Sequence, residues 1–376
     1  MRLTLNLTHA CNLGCEYCFA GTARRQEMPS ATGRQSIDWA VRQAISAGDH
    51  TLEVSMMGGE PLLAFDLFDE FATYARRTGE SAGLDVQLQT TTNATLLDGH
   101  RLERLAEFGA HVAISIDGVP EVHDRTRRTH DGHGTGDAAW AALDHALARL
   151  VSVSVVVVIS PATVDELGGT VIALAGRGVE RIVLNPDWSA AWTPPQLDVW
   201  RASYDDVATE YVAAYRRLAP FALNVFDNAI DLRIRGAEVA SSGCGFDGAD
   251  VAVAPSGRVY GCGRAVGEDR DASMAVGAIS EDFEVPSAHT APPIPDACLA
   301  CALRLRCASR CGCANRESSG DPAIPGDVLC WHERTIIPIA DAAATTLFLE
   351  RNIAFLSRFY GNPTEVPHAA RTCSLV

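Results

Sequence analysis

The chain has 376 residues, enough for one large domain and a smaller one, and its 47% apolar and 21% charged residues are typical of a globular protein. A formal net charge of −16 argues against a nucleic-acid-binding protein, because binding to phosphates requires clustered Lys and Arg. The sequence has no run of 18 apolar residues and no signal-peptide pattern, so it predicts no membrane-spanning helix and a cytoplasmic location.

Strand-like and helix-like segments alternate over the first 225 residues. Apolar or β-branched runs predict strands over 2–8, 52–57, 85–91, 111–116, 151–160 and 181–185. Amphipathic patterns predict helices over 36–47, 64–79, 98–108, 136–149, 163–177 and 195–219. This alternation is typical of an α/β fold with parallel strands and right-handed crossovers. Six units, against the eight of a closed TIM-type barrel, predict a partial (β/α)6 barrel with an open side.

The alternation is expected to stop after about residue 225, where Gly, Asp and Cys replace the long periodic runs. Regular helix is predicted to return over 336–358, followed by a loosely held tail over 363–376. We therefore predict three parts: the barrel over 1–225, a small cysteine-rich domain over 226–335, and a C-terminal helix and tail over 336–376.

The twelve cysteines fall into two clusters and one outlier. Three lie between Cys11 and Cys18, eight lie between Cys244 and Cys330, and Cys373 stands alone. Cytoplasmic thiols are kept reduced, so clustered cysteines there are more often metal ligands than disulfides. The last four residues superficially fit a prenylation motif, but no polybasic segment precedes them, and an exposed tail cysteine is the simpler interpretation of Cys373.

Cys11, Cys15 and Cys18 directly follow the first predicted strand, with three and then two residues between them. In a parallel α/β barrel, the loops after the strands form the active-site face. Three thiolates there can each ligate one iron of a 4Fe–4S cluster, which leaves the fourth iron open, as in a catalytic metal site. The alternatives are an apolar helical stripe, which Asn12 and Gly14 disfavour, and a zinc site, which would need a fourth ligand nearby.

This CxxxCxxC loop resembles the cluster-binding loop of the radical SAM superfamily, and segments that follow later strands resemble the same family. Met57–Pro61 resembles its GGEP motif, Thr-Thr-Thr-Asn at 90–93 resembles a segment whose Asn lies near S-adenosylmethionine (SAM), and Ser115–Gly118 is followed by Arg127. The resemblance implies a SAM-binding site made of Tyr17, Phe19, Gly58, Gly59, Glu60, Asn93, Ser115 and Arg127.

The resemblance also implies roles for these residues. The two glycines allow close approach of the backbone to a ligand, Glu60 accepts a hydrogen bond from the SAM ammonium, and an aromatic ring beside Cys18 lies against the adenine. Ser115 and Arg127 contact the SAM carboxylate and ribose, and the donor fork of Arg suits a carboxylate. Taken singly, each position is equally compatible with a turn residue, a core aromatic or a surface charge.

The second cysteine cluster resembles the seven-cysteine signature of the SPASM domain. Cys244 is followed by Gly257 and Cys262, and after a gap of 35 residues five more cysteines follow, at Cys298, Cys301, Cys307, Cys311 and Cys330. The resemblance implies two auxiliary Fe–S clusters of the 4Fe–4S type, one held by Cys298, Cys301, Cys307 and Cys330 and the other by Cys244, Cys262 and Cys311. A zinc ribbon is the alternative.

The second auxiliary site has only three evident thiolates. Fully ligated relatives have another cysteine shortly before the first one of the signature, and here 238–243 contains none. The fourth ligand is Cys313, a carboxylate such as Asp247 or Asp250, or none, which would leave an iron open to substrate. We favour an open iron or a non-cysteine ligand, because side chains at i and i+2 diverge in an extended chain, although a tight turn at Gly312 would overcome this.

Together the resemblances cover about 1–220 and 240–335 and imply a radical SAM/SPASM oxidoreductase or peptide-modifying enzyme. Its reduced cluster would donate an electron to SAM, releasing methionine and a 5′-deoxyadenosyl radical that takes a hydrogen atom from the substrate. SPASM enzymes mostly act on peptides or proteins, forming crosslinks, thioethers or oxidised side chains. The implied partners are a peptide substrate, an electron donor such as flavodoxin or ferredoxin, and a separate leader-binding protein where a leader is used.

Three rival functions rank below peptide maturation. In anaerobic sulfatase maturases, which form formylglycine, an Asp directly after the cysteine matching Cys262 acts as a base, whereas here Gly263 and Arg264 follow. A small-molecule radical dehydrogenase is the next alternative. A non-catalytic Fe–S electron carrier comes last, because it would have no use for the SAM-facing residues.

Overall fold

The structure is a computed structural model, and it describes residues 1–236, 250–270, 272–280, 283–284, 295–307 and 311–361. Cys244, Asp247, Cys373 and the predicted tail over 363–376 lie outside these ranges. None of the helices within them is both long enough and apolar enough to cross a membrane.

The strands of the described residues form a single ten-stranded sheet. They are β1 (Arg2–Thr8), β2 (Thr51–Gly58), β3 (Asp85–Thr92), β4 (His111–Ser115), β5 (Val153–Ile159), β6 (Arg181–Pro186), β7 (Ala222–Leu223), β8 (Asp250–Val253), β9 (Arg258–Tyr260) and β10 (Ala275–Ala278). Their order is β10-β9-β8-β1-β2-β3-β4-β5-β6-β7. All neighbours from β8 to β7 are parallel, and β9 is antiparallel to both β8 and β10.

Helices follow most of the strands. They are α1 (Ser30–Ala47), α2 (Phe65–Ser81), α3 (Gly99–Glu107), α4 (Pro120–His123), α5 (Gly136–Arg149), α6 (Leu167–Gly176), α7 (Pro194–Arg216), α8 (Asn224–Arg235), α9 (Gly263–Val266), α10 (Asp296–Leu299), α11 (Gly312–Ser319), α12 (Asp327–Leu349) and α13 (Ile353–Tyr360). Short 3₁₀ turns occupy Pro61–Ala64, Val164–Glu166 and Ala272–Met274.

Burial of apolar side chains explains why the strands and helices assemble. Leu3, Leu5 and Leu7 of β1 are fully buried, and their spacing of two puts them on one face of the strand. They belong to the same apolar core as Ile37 and Trp39 of α1, which are also buried. The helices therefore cover the sheet by the apolar stripe that their 3.6-residue periodicity creates.

The parallel α/β architecture predicted for the first part of the chain is confirmed. All six predicted strands are present as β1 to β6, each within two residues of its predicted bounds. The helices are also present, although α1 begins at Ser30 instead of 36, and the predicted helix 163–177 is a 3₁₀ turn at Val164–Glu166 followed by α6.

The expectation that the strand–helix rhythm stops near residue 225 is wrong in detail. Strand β7 pairs with β6, α8 spans the predicted boundary, and β8 extends the sheet by pairing in parallel with β1, where Arg2 lies opposite Asp250. A four-residue strand such as β8 carries too little periodicity to be recognised from sequence. Its pairing partner, β1, lies some 250 positions earlier in the chain.

The predicted helix over 336–358 is wrong as a single element. Helix α12 begins earlier, at Asp327, and so includes Cys330, and it ends at Leu349. Arg351 then adopts a φ of 51°, and the Asn352 side chain accepts a hydrogen bond from the backbone N–H of Phe355, so α13 starts as a new, capped helix.

An aromatic cluster fixes the cysteine-bearing end of α12 against the barrel. The Trp200 ring of α7 lies 5.1 Å from the Trp331 ring and 5.5 Å from the His332 ring, measured between centroids. His332 Nε2 also lies 2.8 Å from the hydroxyl of Tyr204, which is fully buried. These contacts hold the start of α12, next to Cys330, on the surface of α7.

Candidate active site

A cavity of about 660 Å³ lies at the carboxyl ends of the parallel strands. One wall is made by residues at or after the ends of β1 to β6, as expected for a parallel α/β barrel. The opposite wall comes from 264–270, from Met274 and from residues of α11. The cavity therefore lies between the parallel strands and the cysteine-rich part of the chain.

The first cysteine cluster and the whole predicted SAM site line this cavity. These residues are Cys11, Cys15, Tyr17, Cys18, Phe19, Gly58, Gly59, Glu60, Asn93, Ser115 and Arg127. Among the described cysteines of the second cluster, Cys313 lines the cavity, whereas Cys262, Cys298, Cys301, Cys307, Cys311 and Cys330 do not.

The cysteine loop is held in place by the segment that carries Arg127. The backbone N–H of Gly14 donates to the carbonyl of Arg128 at 2.8 Å, and His130 Nε2 lies 3.0 Å from the carbonyl oxygen of Cys11. Inside the loop, the N–H of Leu13 donates to the Cys11 sulfur at 3.4 Å. An N–H donor of this kind stabilises a thiolate, as it does around Fe–S clusters.

Two glycines let the end of β2 pack directly against the cysteine loop. A Cβ atom on Gly58 would lie 2.5 Å from the carbonyl oxygen of Thr8, and one on Gly59 would lie 2.4 Å from that of Ala10. Both distances are well below van der Waals contact, and both clashes are with backbone. Close approach of the two segments is therefore the physical reason for glycine at these positions.

Glu60 ties the ends of two strands together. Its Oε1 accepts hydrogen bonds from the N–H of Leu62 at 3.0 Å and the hydroxyl of Thr92 at 2.7 Å, and Oε2 accepts one from the N–H of Asn93 at 2.8 Å. Burial raises the pKa of this carboxyl, and the three hydrogen bonds oppose that rise. Oε2 retains acceptor capacity for one ligand donor.

Asn93 connects strand β3 to the cysteine loop. Its Nδ2 donates to Asn12 Oδ1 at 2.9 Å, and its Oδ1 accepts from the Thr95 N–H at 3.0 Å and the Thr95 hydroxyl at 2.7 Å. The Asn12 amide in turn donates to the Thr95 hydroxyl at 2.8 Å. This network orients the loop as well as any ligand that Asn93 meets.

Asp117, which sequence analysis did not assign, does not line the cavity but binds two residues that do, Arg127 and Tyr17. Its fully buried carboxylate accepts hydrogen bonds from Arg127 Nε at 3.0 Å, the Thr126 hydroxyl at 3.0 Å and the Val158 N–H at 2.9 Å, and also from the Tyr17 hydroxyl. The signal that could have found it is an Asp two residues after the end of β4, between two predicted site residues.

Arg127 is fixed by Asp117 and by an aromatic ring. Its guanidinium carbon lies 5.3 Å from the centre of the Tyr17 ring, and its side chain is 8% exposed. Because the bond to Asp117 is made by Nε, the terminal nitrogens can bind an anionic group in the cavity. Ser115, at the end of β4, lies on the same wall and is also buried.

The opposite wall carries an ion pair that sequence analysis also missed, between Arg264, whose side chain is 7% exposed, and Glu317, whose side chain is 22% exposed. Arg264 Nε donates to Glu317 Oε1 at 3.1 Å, and Arg264 Nη1 donates to Asn185 Oδ1 at 3.0 Å. Burial raises the pKa of Glu317, and Arg264 opposes that rise. The guanidinium of Arg264 also lies 5.5 Å from the Phe19 ring centre. Strand β6, which carries Asn185, and helices α9 and α11, which carry Arg264 and Glu317, come together only in the folded chain.

Burial disfavours the thiolate form of two cysteines of the loop, Cys11 and Cys15. Burial raises the pKa of Cys11 to about 12 and also raises that of Cys15, against the lowering effect of Arg127. Within the described ranges, no three His, Cys, Asp or Glu side chains converge on the position of a single metal ion. A 4Fe–4S cluster has a different requirement, since each thiolate ligates a different iron, and a donor set of three thiols on one loop fits it.

Part of the second cysteine cluster also comes together. Burial raises the pKa of Cys330, and the charges of Cys298 and Cys301 raise it further. Cys298 and Cys301 therefore lie near Cys330. The Cys301 N–H donates to the Cys298 carbonyl at 3.1 Å. This grouping matches three of the four residues expected in one auxiliary site. Cys307, the fourth, lies at the end of a described range.

The extended backbone that the sequence analysis assumed between Cys311 and Cys313 is wrong. Cys311 is the N-cap of α11, with extended angles of φ −74° and ψ 102°, and the helix begins at Gly312. Cys311 and Cys313 therefore do not lie on an extended strand whose alternate side chains diverge. The turn at Gly312 is the start of a helix.

Comparison with known proteins agrees with this geometry. Residues 5–171 match the family model of the radical SAM superfamily. The mycofactocin maturase MftC of Mycobacterium tuberculosis is 30% identical over 272 residues, which are 69% of this chain and 63% of MftC. The chain spans a smaller share, 28–43%, of three other curated relatives that it matches.

Two solved structures share the fold at 18% identity. Native anSMEcpe with bound AdoMet has a TM-score of 0.76, with 91% of this chain and 97% of that chain covered. SuiB of Streptococcus suis, bound to its precursor peptide SuiA, has a TM-score of 0.59, with 88% and 75% covered. The family model and the three cysteines at the end of β1 agree, and residues 5–171 carry a radical SAM domain.

Proposed function

We propose that this protein is a radical SAM enzyme that modifies a side chain of a peptide or protein, by crosslinking, thioether formation or oxidation. The observation that carries the proposal is one cavity whose barrel wall holds Cys11, Cys15 and Cys18 together with the eight residues predicted to bind SAM. A non-catalytic electron carrier would not need such a cavity next to its cluster.

Cys11, Cys15 and Cys18 would hold a 4Fe–4S cluster, and the eight residues beside them would bind SAM. When bound, a reduced cluster of this kind supplies the electron that cleaves SAM and so starts hydrogen-atom abstraction from the substrate. Within the chain, Asp117 positions Arg127 for the anionic end of SAM, and Glu60 Oε2 accepts from its ammonium. The walls of the cavity exclude water from the reacting carbon.

The opposite wall of the cavity would contact the substrate. Arg264 and Glu317 form an ion pair there, and Arg264 also binds Asn185 at the end of β6, 79 residues earlier in the chain. Buried ion pairs add little to stability, so a role in orienting a polar side chain is the better explanation for this one. A peptide substrate is supported by the names of relatives, among them MftC and the sporulation killing factor maturation protein SkfB of Bacillus subtilis.

We further propose the finer architecture of a partial (β/α)6 barrel over 1–225, a SPASM domain with two auxiliary Fe–S clusters over 226–335, and a C-terminal helical part over 336–376. The fold of anSMEcpe and the proximity of Cys298, Cys301 and Cys330 support it. The auxiliary clusters would accept an electron from the substrate, and a flavodoxin or ferredoxin would reduce the cluster at Cys11, Cys15 and Cys18.

Formylglycine formation is the second candidate, favoured by a match to the cysteine-type anaerobic sulfatase-maturating enzyme of Clostridium perfringens, at 28% identity over 121 residues. That match covers 31% of this chain. Gly263 stands where those enzymes carry the Asp base, and Glu317 is the nearby carboxyl on the cavity wall. We therefore rank this activity second.

The direct test is SAM cleavage by anaerobically reconstituted, reduced protein, measured as 5′-deoxyadenosine by liquid chromatography. Wild-type protein should form it, and the Cys11→Ala/Cys15→Ala/Cys18→Ala variant should not, while keeping the iron of the auxiliary sites. A variant that still forms 5′-deoxyadenosine would refute the proposal. The substrate class is tested by incubation with peptides encoded beside this gene and with a sulfatase peptide; a mass change in the latter alone would reverse the ranking.

A further inference from the structure

The strongest unassigned feature is a group of three cysteines on the cysteine-rich side of the cavity. Cys262 is the N-cap of α9 and Cys311 is the N-cap of α11, which carries Cys313. Arg264 of α9 donates to Glu317 of α11 at 3.1 Å and lines the cavity together with Cys313. The start of α9 is therefore held against α11, which brings Cys262 towards Cys311 and Cys313 although it lies about 50 positions before them in the sequence.

Local structure explains how Cys311 and Cys313 reach the same place. Cys311 is the N-cap of α11 and Cys313 is the second residue of its first turn, with Gly312 between them. The backbone changes from extended to helical at this point, so the two side chains need not diverge as they would in a strand. The helix itself is anchored, since Glu317 of α11 pairs with Arg264, which follows Cys262 by two residues.

An ordinary packing role does not explain Cys313. A free cysteine often serves as a small apolar side chain in a core, and Cys313 is only 5% exposed. However, it belongs to neither of the two clusters of buried apolar side chains found in the described residues. It lines the polar wall of the cavity together with Glu317.

We infer that Cys313 is a ligand of the auxiliary Fe–S cluster that Cys262 and Cys311 would hold. This inference rests on the proposed function, because it takes the auxiliary clusters from it, and it replaces the open or carboxylate-ligated iron expected from sequence. Thiolate sulfur is the donor that Fe–S clusters take from proteins. Because Cys313 also lines the cavity, this cluster would adjoin the wall that we assign to the substrate.

The test uses full-length protein in which Cys11, Cys15 and Cys18 are changed to Ala, so that only the auxiliary clusters contribute. After anaerobic reconstitution, this background should hold about eight irons per chain. Adding Cys313→Ser should remove about four irons, or convert one cluster to a three-iron form seen by electron paramagnetic resonance and Mössbauer spectroscopy. Cys311→Ser should behave alike. Cys373→Ser, in the tail, is the matched control and should change nothing.

Unchanged iron content and unchanged spectra in the Cys313→Ser variant would overturn the inference. If that variant does not fold, as judged by circular dichroism, a crystal structure of reconstituted wild-type protein decides instead, by the presence or absence of a bond from iron to the Cys313 sulfur. Failure of the proposed function is distinguishable, because it would show as absence of 5′-deoxyadenosine formation by wild-type protein whatever the ligand of the auxiliary cluster.

Discussion

Replacing Asp117 by Asn tests how Arg127 is held in the proposed SAM site. Asp117 is fully buried and its carboxylate accepts hydrogen bonds from Arg127, Thr126, Val158 and Tyr17. The substitution keeps the size of the side chain and removes its charge. It also turns one acceptor oxygen into an NH₂ donor that faces other donors.

The expected loss of stability follows from the geometry of the pair. Breaking a buried ion pair by removing one partner costs about 3–5 kcal/mol, because the other charge stays buried and uncompensated. Arg127 is 8% exposed, so it cannot regain hydration without moving. We therefore expect Asp117→Asn to lower the free energy of unfolding by about 3–5 kcal/mol, and to weaken SAM binding because Arg127 is no longer positioned.

The assays are urea unfolding followed by circular dichroism and equilibrium dialysis with labelled SAM, both on reconstituted protein. Asp165→Asn is the matched control, since Asp165 pairs with Arg125 at 2.9 Å but its side chain is 56% exposed. An exposed pair of this kind contributes about 0–1 kcal/mol. If Asp117→Asn destabilises the protein no more than Asp165→Asn does, the reasoning about the buried pair is refuted.

Three further predictions concern the same wall and the pH dependence of stability. Arg127→Ala should weaken SAM binding by about 1.5–3 kcal/mol, the range for a hydrogen bond to a charged group, measured by dialysis; unchanged affinity would make Arg127 a structural residue only. Gly59→Ala should displace the cysteine loop, because its Cβ would lie 2.4 Å from the Ala10 carbonyl oxygen, and so lower the iron content after reconstitution; Gly99→Ala, with nothing within 4 Å, should not. Burial lowers the pKa of His111 from 6.5 to about 4. The unfolded chain therefore binds more protons than the folded chain between these two pH values. The free energy of unfolding falls as the pH falls through that window, by up to about 3 kcal/mol. His111→Gln should reduce this fall in urea titrations, and His133→Gln, whose side chain is 80% exposed, should leave it unchanged.

The sequence by itself determined the parallel core and the residues most typical of the family. Strands such as β5 were predictable because a run of β-branched residues, Val155 to Val158, signals a buried strand without any knowledge of its neighbours. The loop from Cys11 to Cys18 and the Gly58–Glu60 segment were recognisable because their spacing is local. The ligands that these motifs bind remain a prediction. Both motifs line one cavity, so their residues can contact the same ligand.

The tertiary structure decided every feature that depends on residues far apart in the chain. Strand β8 is too short to show periodicity, and it exists because the open edge of β1 offers backbone hydrogen bonds. The role of Asp117 depends on the four donors that surround it in the folded chain. Arg264 contacts Glu317 because the fold brings α9 next to α11. We favour Cys313, one of the alternatives left open by the sequence, as a ligand because a helix begins at Gly312. Local patterns report backbone propensity and burial, whereas a site is a set of long-range contacts that only the folded chain brings together.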